Sequence, residues 1–91
     1  MTEASFDEIW DRIISNQGKI FYTITGLEFS YKIIGSYLKT TRTNYHLAKQ
    51  NFSRAFLAVP IPNPGAINKI VRGPAYVWAI LHDQRISRGE W

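Results

Sequence analysis

Few residues in this chain are of a type that does chemistry, and their spacing argues against most of it. His46 and His82 are the only histidines, 36 residues apart, and neither has a second ligand at helical or hairpin spacing. No metal site and no cofactor are therefore expected, and His82 beside Asp83 reads as an imidazole near the negative end of a helix. Magnesium-dependent cleavage needs several carboxylates converging on the ion, yet between Arg12 and His82 the one acid is Glu28. A serine hydrolase wants its nucleophile on a strained turn such as G-x-S-x-G, with a histidine and an acid in support, and no such string occurs. Without cysteine there is no thiolate nucleophile, zinc ligand or disulfide. Gly18-Lys19 lacks the rest of a phosphate loop, and no G-x-G-x-x-G is present. The expectation is a protein that is not an enzyme.

The sequence does carry charge suited to a polyanion. The net charge is +4 over 91 residues, and four of the seven acids (Glu3, Asp7, Glu8, Asp11) fall in the first eleven positions. From Arg12 to His82 nine basic residues stand against one acid, so a nucleic acid, DNA or RNA, is the expected partner class. Phe21, Lys32, Tyr37 and Lys39 fall on one face of a sheet, with Arg42 and Lys49 near its edge, an arrangement that can hold phosphates by charge and bases by stacking. Arg54 and Arg72 add to the basic set. Arg72-Gly73-Pro74 opens an apolar segment, where a guanidinium and free amides could meet a phosphate oxygen.

Each of these readings has a structural counterpart. The lysines also serve as the solvated surface a small domain needs, and Arg72 can pair with a carboxylate or a helix end. If the last helix covers the Phe21 face, then Phe21, Ile34 and Tyr37 form a second core. A different class of function is a protein-interaction module or small subunit, homodimeric in one version, that meets its partner through the aromatic sheet face or through the helix bearing Asp7, Glu8 and Asp11. A small-molecule pocket lined by Tyr22, Tyr31 and Trp78 is a third reading.

The elements that must position these residues follow from periodicity. Ser5-Phe6-Asp7-Glu8 has the form of a capping box, and Phe6, Ile9, Trp10, Ile13 and Ile14 repeat as one helical stripe before Asn16-Gln17-Gly18 stops it. The period then changes to two. Lys19 to Thr43 is rich in Ile, Phe, Tyr and Thr, and Gly26-Leu27 and Gly35-Ser36 each fit a two-residue II′ turn. Strands near 19–25, 28–34 and 37–42 are predicted. If Thr25 pairs with Glu28, then Ile20, Tyr22 and Ile24 face Phe29, Tyr31 and Ile33; if Ile34 pairs with Tyr37, Leu38 joins them. The other face would carry Phe21, Thr23, Thr25, Glu28, Ser30, Lys32, Ile34, Tyr37, Lys39 and Thr41. A helix from about 44–49 to Val59 follows, stopped by Pro60, then an extended proline-rich connector and a short turn within 66–71. Pro74 opens a nearly all-apolar helix to Asp83, and Gln84 to Trp91 reads as a polar tail.

These elements describe one α+β domain over 1–91, in the order α-β-β-β-α-α, with an N-terminal helix, a three-stranded antiparallel meander and two C-terminal helices. No run of apolar residues is long enough to span a membrane, the polar and acidic start is unlike a signal peptide, and the lack of cysteine agrees with a cytoplasmic protein. The α-β-β-β-α order, with Phe29-Ser30-Tyr31-Lys32-Ile33-Ile34-Gly35 as a central strand, is similar to double-stranded-RNA-binding domains. Two of their features differ here: only Lys49 and Gln50 lie where those domains cluster lysines at the last helix, and Gly26-Leu27 replaces their long first loop. The resemblance implies nucleic acid as a partner class and names no target.

Overall fold

Ser5 starts the first helix. Its backbone is extended, and its hydroxyl accepts a hydrogen bond from the Glu8 amide at 3.3 Å, which satisfies one of the amides a helix start leaves free. In the computed structural model, which describes residues 4–91, this helix is α1 (Phe6–Ser15) and buries Ile9, Trp10 and Ile13. Ile14, read as part of that stripe, stays exposed. Asn16 closes the helix, donating its side-chain amide to the Arg12 carbonyl at 2.8 Å.

Five short strands follow: β1 (Phe21–Tyr22), β2 (Glu28–Phe29), β3 (Tyr31–Ile34), β4 (Tyr37–Thr40) and β5 (Leu47–Ala48). β1 and β2 form a two-stranded antiparallel sheet, and β3, β4 and β5 an antiparallel sheet in that order. The α+β class holds, with the meander divided at Ser30 and lengthened by β5. The Gly35-Ser36 turn is as predicted, since Ile34 pairs with Tyr37 and Ile33 with Leu38. Gly35 has φ 60 while Ser36 keeps a negative φ, the pattern of a II′ turn.

The first hairpin corrects the predicted register. Phe21 pairs with Phe29 and Tyr22 with Glu28, three positions away from a Thr25–Glu28 pairing. Gly26, at φ 87, is not the first residue of a two-residue turn; it closes a three-residue loop, with its amide bonded to the Thr23 carbonyl at 2.9 Å. Thr23 holds the loop, its hydroxyl accepting from the Leu27 amide at 3.0 Å. An odd shift reverses both faces of a strand. Phe21 and Thr23 are therefore buried, while Ile20, Tyr22 and Ile24 are 43%, 58% and 53% exposed.

The C-terminal half closes the core. α2 (Lys49–Phe56) buries Phe52 and Ala55 and ends short of the predicted Val59. The connector contains a 3-10 turn over Pro64–Ile67, opened by the Asn63 side chain accepting from the Ala66 amide. α3 (Pro74–Leu81) is apolar on every side and buries Val77, Ala79, Ile80 and Leu81. Tyr76 on α3 meets Phe29 edge-on at 5.2 Å between centroids, so the helices pack against the same side of the chain as Phe21, Phe29, Tyr31 and Leu38.

The polar tail is also corrected. Residues 84–87 form a helical turn, α4 (Gln84–Ser87), with Ile86 and Ser87 buried. Trp91 donates its indole N–H to the Leu81 carbonyl at 2.8 Å and packs edge-on against Phe56. Arg12 binds Glu90 at 2.7 Å and the Ile86 carbonyl at 2.8 Å. Arg85 forks onto Asp83, donates to the Ile20 carbonyl and lies 4.1 Å from the Phe21 ring centre. Among the described residues no helix is long and apolar enough to cross a membrane.

Candidate nucleic-acid interface

Among the described residues nothing covers the outer face of the β3–β4–β5 sheet. Alternation along β3 puts Lys32 and Ile34 outward and Tyr31 and Ile33 inward; along β4 it puts Tyr37 and Lys39 outward. The ladder sets Lys32 opposite Lys39 and Ile34 opposite Tyr37. Ile34 and Tyr37 are each about half exposed. The last helices pack elsewhere, so this face is not a second core. Toward its Ser30–Thr41 end it holds a depression of about 230 Å³ lined by Gly18, Ser30, Lys32, Lys39 and Thr41.

Lysines directly opposite on one face repel. Part of that repulsion is offset because the Lys39 ammonium turns aside, donating to the carbonyls of Thr40 at 3.0 Å and Thr43 at 2.5 Å. Both groups remain cationic donors beside the depression. Arg42 stands at the far end of the same ribbon and donates Nε to the Glu28 carbonyl at 2.6 Å. Glu28, an acid, is paired across from Tyr22 at the β1–β2 end.

At the opposite end Tyr37 opens into a second, larger recess. A cleft of about 530 Å³ lies between Phe6, the turn residue Ser36, Tyr37, Ala48 and the first turns of α2, with Lys49, Gln50 and Ser53 along its rim. The Lys49 amide is bonded to the Ser36 carbonyl at 2.9 Å, which ties α2 to the β3–β4 turn. The Lys49 ammonium sits 5.6 Å above the Trp10 ring, a favourable position for a cation. His46 packs against Tyr37 with 5.9 Å between ring centres.

Of the residues picked from the sequence, Lys32, Tyr37 and Lys39 lie together, Arg42 stands at one end and Lys49 at the other. Phe21 does not belong to the face. It is fully buried between Phe29, Tyr31 and Arg85, because the three-residue loop reversed its strand. Arg54 and Arg72 lie apart from the sheet face. Arg54 is exposed on α2, between the Gln50–Ser53 edge and Asn51, whose side chain accepts from the Arg72 amide at 3.2 Å. The Arg72 guanidinium stacks 4.0 Å from the Tyr45 ring centre. The turn after it is structural: the Gly73 carbonyl accepts from the Tyr76 and Val77 amides, and a Cβ on Gly73 would come within 2.9 Å of Leu47.

The tyrosine pocket does not form either, since Tyr31 is fully buried, with its hydroxyl on the Ile13 carbonyl, while Tyr22 points outward. Sequence reasoning missed His46, Phe6, Gln50 and Ser53. The signal for His46 was β5, which at two residues is too short to show a period.

His82 sits remote from this face. Its ring is stacked on Trp78, 4.9 Å apart and 9° from parallel. Nε2 accepts from the Ile61 amide at 3.0 Å and Nδ1 lies 3.2 Å from the Trp78 carbonyl, which is the neutral imidazole with its proton on Nδ1. Burial holds its pKa below the usual value, against the opposing pull of the Trp78 carbonyl. Among the described residues no three histidines, aspartates or glutamates gather where a metal ion could be held. No family model, curated protein or solved structure matches the chain.

Proposed function

We propose that this protein binds nucleic acid, without catalysis, through the outer face of the β3–β4–β5 sheet. The observation that carries this reading is the cross-strand pair Lys32–Lys39 on an uncovered face, with Ile34 and Tyr37 exposed beside it. A fold gains nothing in stability from two facing lysines, whereas a phosphate backbone passing between them is held by both. Tyr37 supplies a π-face for a base, and Arg42 and Lys49 extend the charge in both directions. A cytoplasmic setting belongs to this proposal and rests on the cysteine-free sequence.

The test is fluorescence anisotropy with labelled oligonucleotides at several salt concentrations. Three phosphate contacts predict a slope of about −2 in log affinity against log salt for a single strand. Binding should be lost when Lys32, Lys39 and Arg42 are changed together to Glu. Affinity that is independent of salt, or unchanged in the triple variant, would overturn the reading.

One observation favours a second reading, a protein-interaction module. Ile20, Tyr22 and Ile24 form an exposed apolar set on the β1–β2 hairpin, and contiguous apolar surface often marks a protein contact. Light scattering tests its homodimeric version: a concentration-dependent dimer abolished by Tyr22→Lys supports it, and a monomer at all concentrations removes it.

A further inference from the structure

We propose that the cleft beside Tyr37 receives one unpaired nucleobase, so that the nucleic acid this protein takes is single-stranded. The inference rests on the proposed sheet-face function and specifies its ligand. The cleft of about 530 Å³ falls within the range of small-ligand sites, about 300 to 1,000 Å³, and its walls are of the kind that hold a base. Phe6 and Tyr37 present aromatic surface, and Ala48, paired with Tyr37 across the β4–β5 ladder, contributes only a methyl group. The polar rim can address a base edge. Gln50 is exposed and offers an amide with both donor and acceptor capacity. The Ser53 hydroxyl donates to the Gln50 carbonyl at 3.0 Å, which leaves its oxygen lone pairs as acceptors.

The position of the cleft matters as much as its lining. Tyr37 belongs both to the cleft and to the sheet face, two ladder positions from the Lys32–Lys39 pair. Each ladder position along a strand adds about 3.3 Å, so the Tyr37 position lies about 7 Å along the sheet from the lysine pair. A strand whose phosphates lie over the lysines therefore brings an adjoining base to Tyr37, while Lys49 at the rim meets the next phosphate. A duplex keeps its bases stacked and paired, and must flip one out to fill such a cleft. A single strand has no such cost.

The experiment compares labelled oligothymidylate and oligouridylate of about a dozen nucleotides with a duplex of the same length, using wild-type protein and the variants Tyr37→Ala and Ala48→Leu. Ala48→Leu fills the cleft and leaves every charge in place. Circular dichroism confirms that each variant is folded. The expected result is single strand bound at least roughly tenfold more tightly than duplex, with that preference lost in both variants while salt-sensitive binding to the lysines persists. A 2-aminopurine in the strand should change its fluorescence on binding to wild type and remain unchanged with Ala48→Leu. Equal, salt-sensitive binding of single strand and duplex, unaffected by Ala48→Leu, would overturn the base-insertion proposal and leave the sheet-face function standing. No salt-sensitive binding of either would overturn both. A preference for oligothymidylate over oligouridylate, or the reverse, supports the cleft as the discriminating element only if Ala48→Leu abolishes it.

Discussion

Lys32 and Lys39 face each other across the β3–β4 ladder on a surface that none of the described elements covers, and the Lys39 ammonium is turned toward the Thr40 and Thr43 carbonyls. Their repulsion is tolerated in the folded state, so its removal should be measurable. Changing Lys32 to Glu replaces a like-charge pair with an opposite-charge pair, and unfolding in urea should show a gain of about 0.2–1 kcal/mol. Nucleic-acid affinity should fall in the same variant. Stability and binding moving in opposite directions would mark the pair as kept for a ligand; a loss of stability would show that Lys32 supports the fold.

His82 makes stability pH-dependent. Its folded pKa is lowered by burial, and the Ile61 amide needs the unprotonated Nε2 as its acceptor. Between the folded value and the unfolded value near 6.5 the unfolded chain binds more protons, so the contribution is complete above the unfolded value and declines as pH falls below it. Urea midpoints measured from pH 7.5 down to 5 should fall, and His82→Gln, whose amide does not titrate, should flatten that decline.

Gly73 is required by both its conformation and its surroundings. Its φ is 60, and a Cβ there would approach Leu47 to 2.9 Å. Gly73→Ala should cost about 1–3 kcal/mol, read as a lower melting temperature. The left-handed strain remains even if the flexible Leu47 side chain moves. A neutral substitution would mean that the Arg72–Pro74 turn can be rebuilt.

Arg85 ties the C-terminal turn to the first hairpin. Its guanidinium forks onto Asp83 at 2.8 and 2.9 Å, donates to the Ile20 carbonyl at 2.6 Å and covers the Phe21 ring. Burial raises the Asp83 pKa, but the Arg85 hydrogen bonds and charge outweigh it and hold the carboxyl below its usual value. The pair therefore stabilises above the usual carboxylate pKa, and the contribution is lost as pH falls through the lowered one. Lysine keeps the charge without the fork or the stacking. Arg85→Lys should cost about 1 kcal/mol, since the site is partly exposed, and hydrogen exchange should show faster opening around Phe21.

The residues readable from the sequence were those whose structure depends on near neighbours. Ser5 caps α1 through an amide three residues away, Pro74 opens α3, and Gly35-Ser36 sets the β3–β4 register that places Lys32, Ile34, Tyr37 and Lys39 on one face. In each case a short stretch of chain contains the whole cause. Gly26 marks where that reasoning ended. A glycine admits positive φ in a two-residue loop and in a three-residue loop alike, and one reading differs from the other by an odd shift that reverses the strand. The choice follows from burying the Phe21 and Phe29 rings against Tyr31 and Tyr76, contacts made across the whole chain.

The sequence by itself determined the class of fold, the first helix, the second hairpin and the concentration of positive charge after Arg12, because capping, turn chemistry and composition are local or summed properties. Tertiary structure alone decided that Phe21 belongs to the core, that the sheet face of Lys32 and Tyr37 stays open, and that residues 84–91 pack back through Arg12, Arg85 and Trp91. It also decided that Phe6 and Ser53 meet Tyr37 around one cleft. Burial depends on which distant surfaces compete for the same space, and a polar segment such as Gln84 to Trp91 becomes ordered when its few apolar groups and charges find partners far away in sequence.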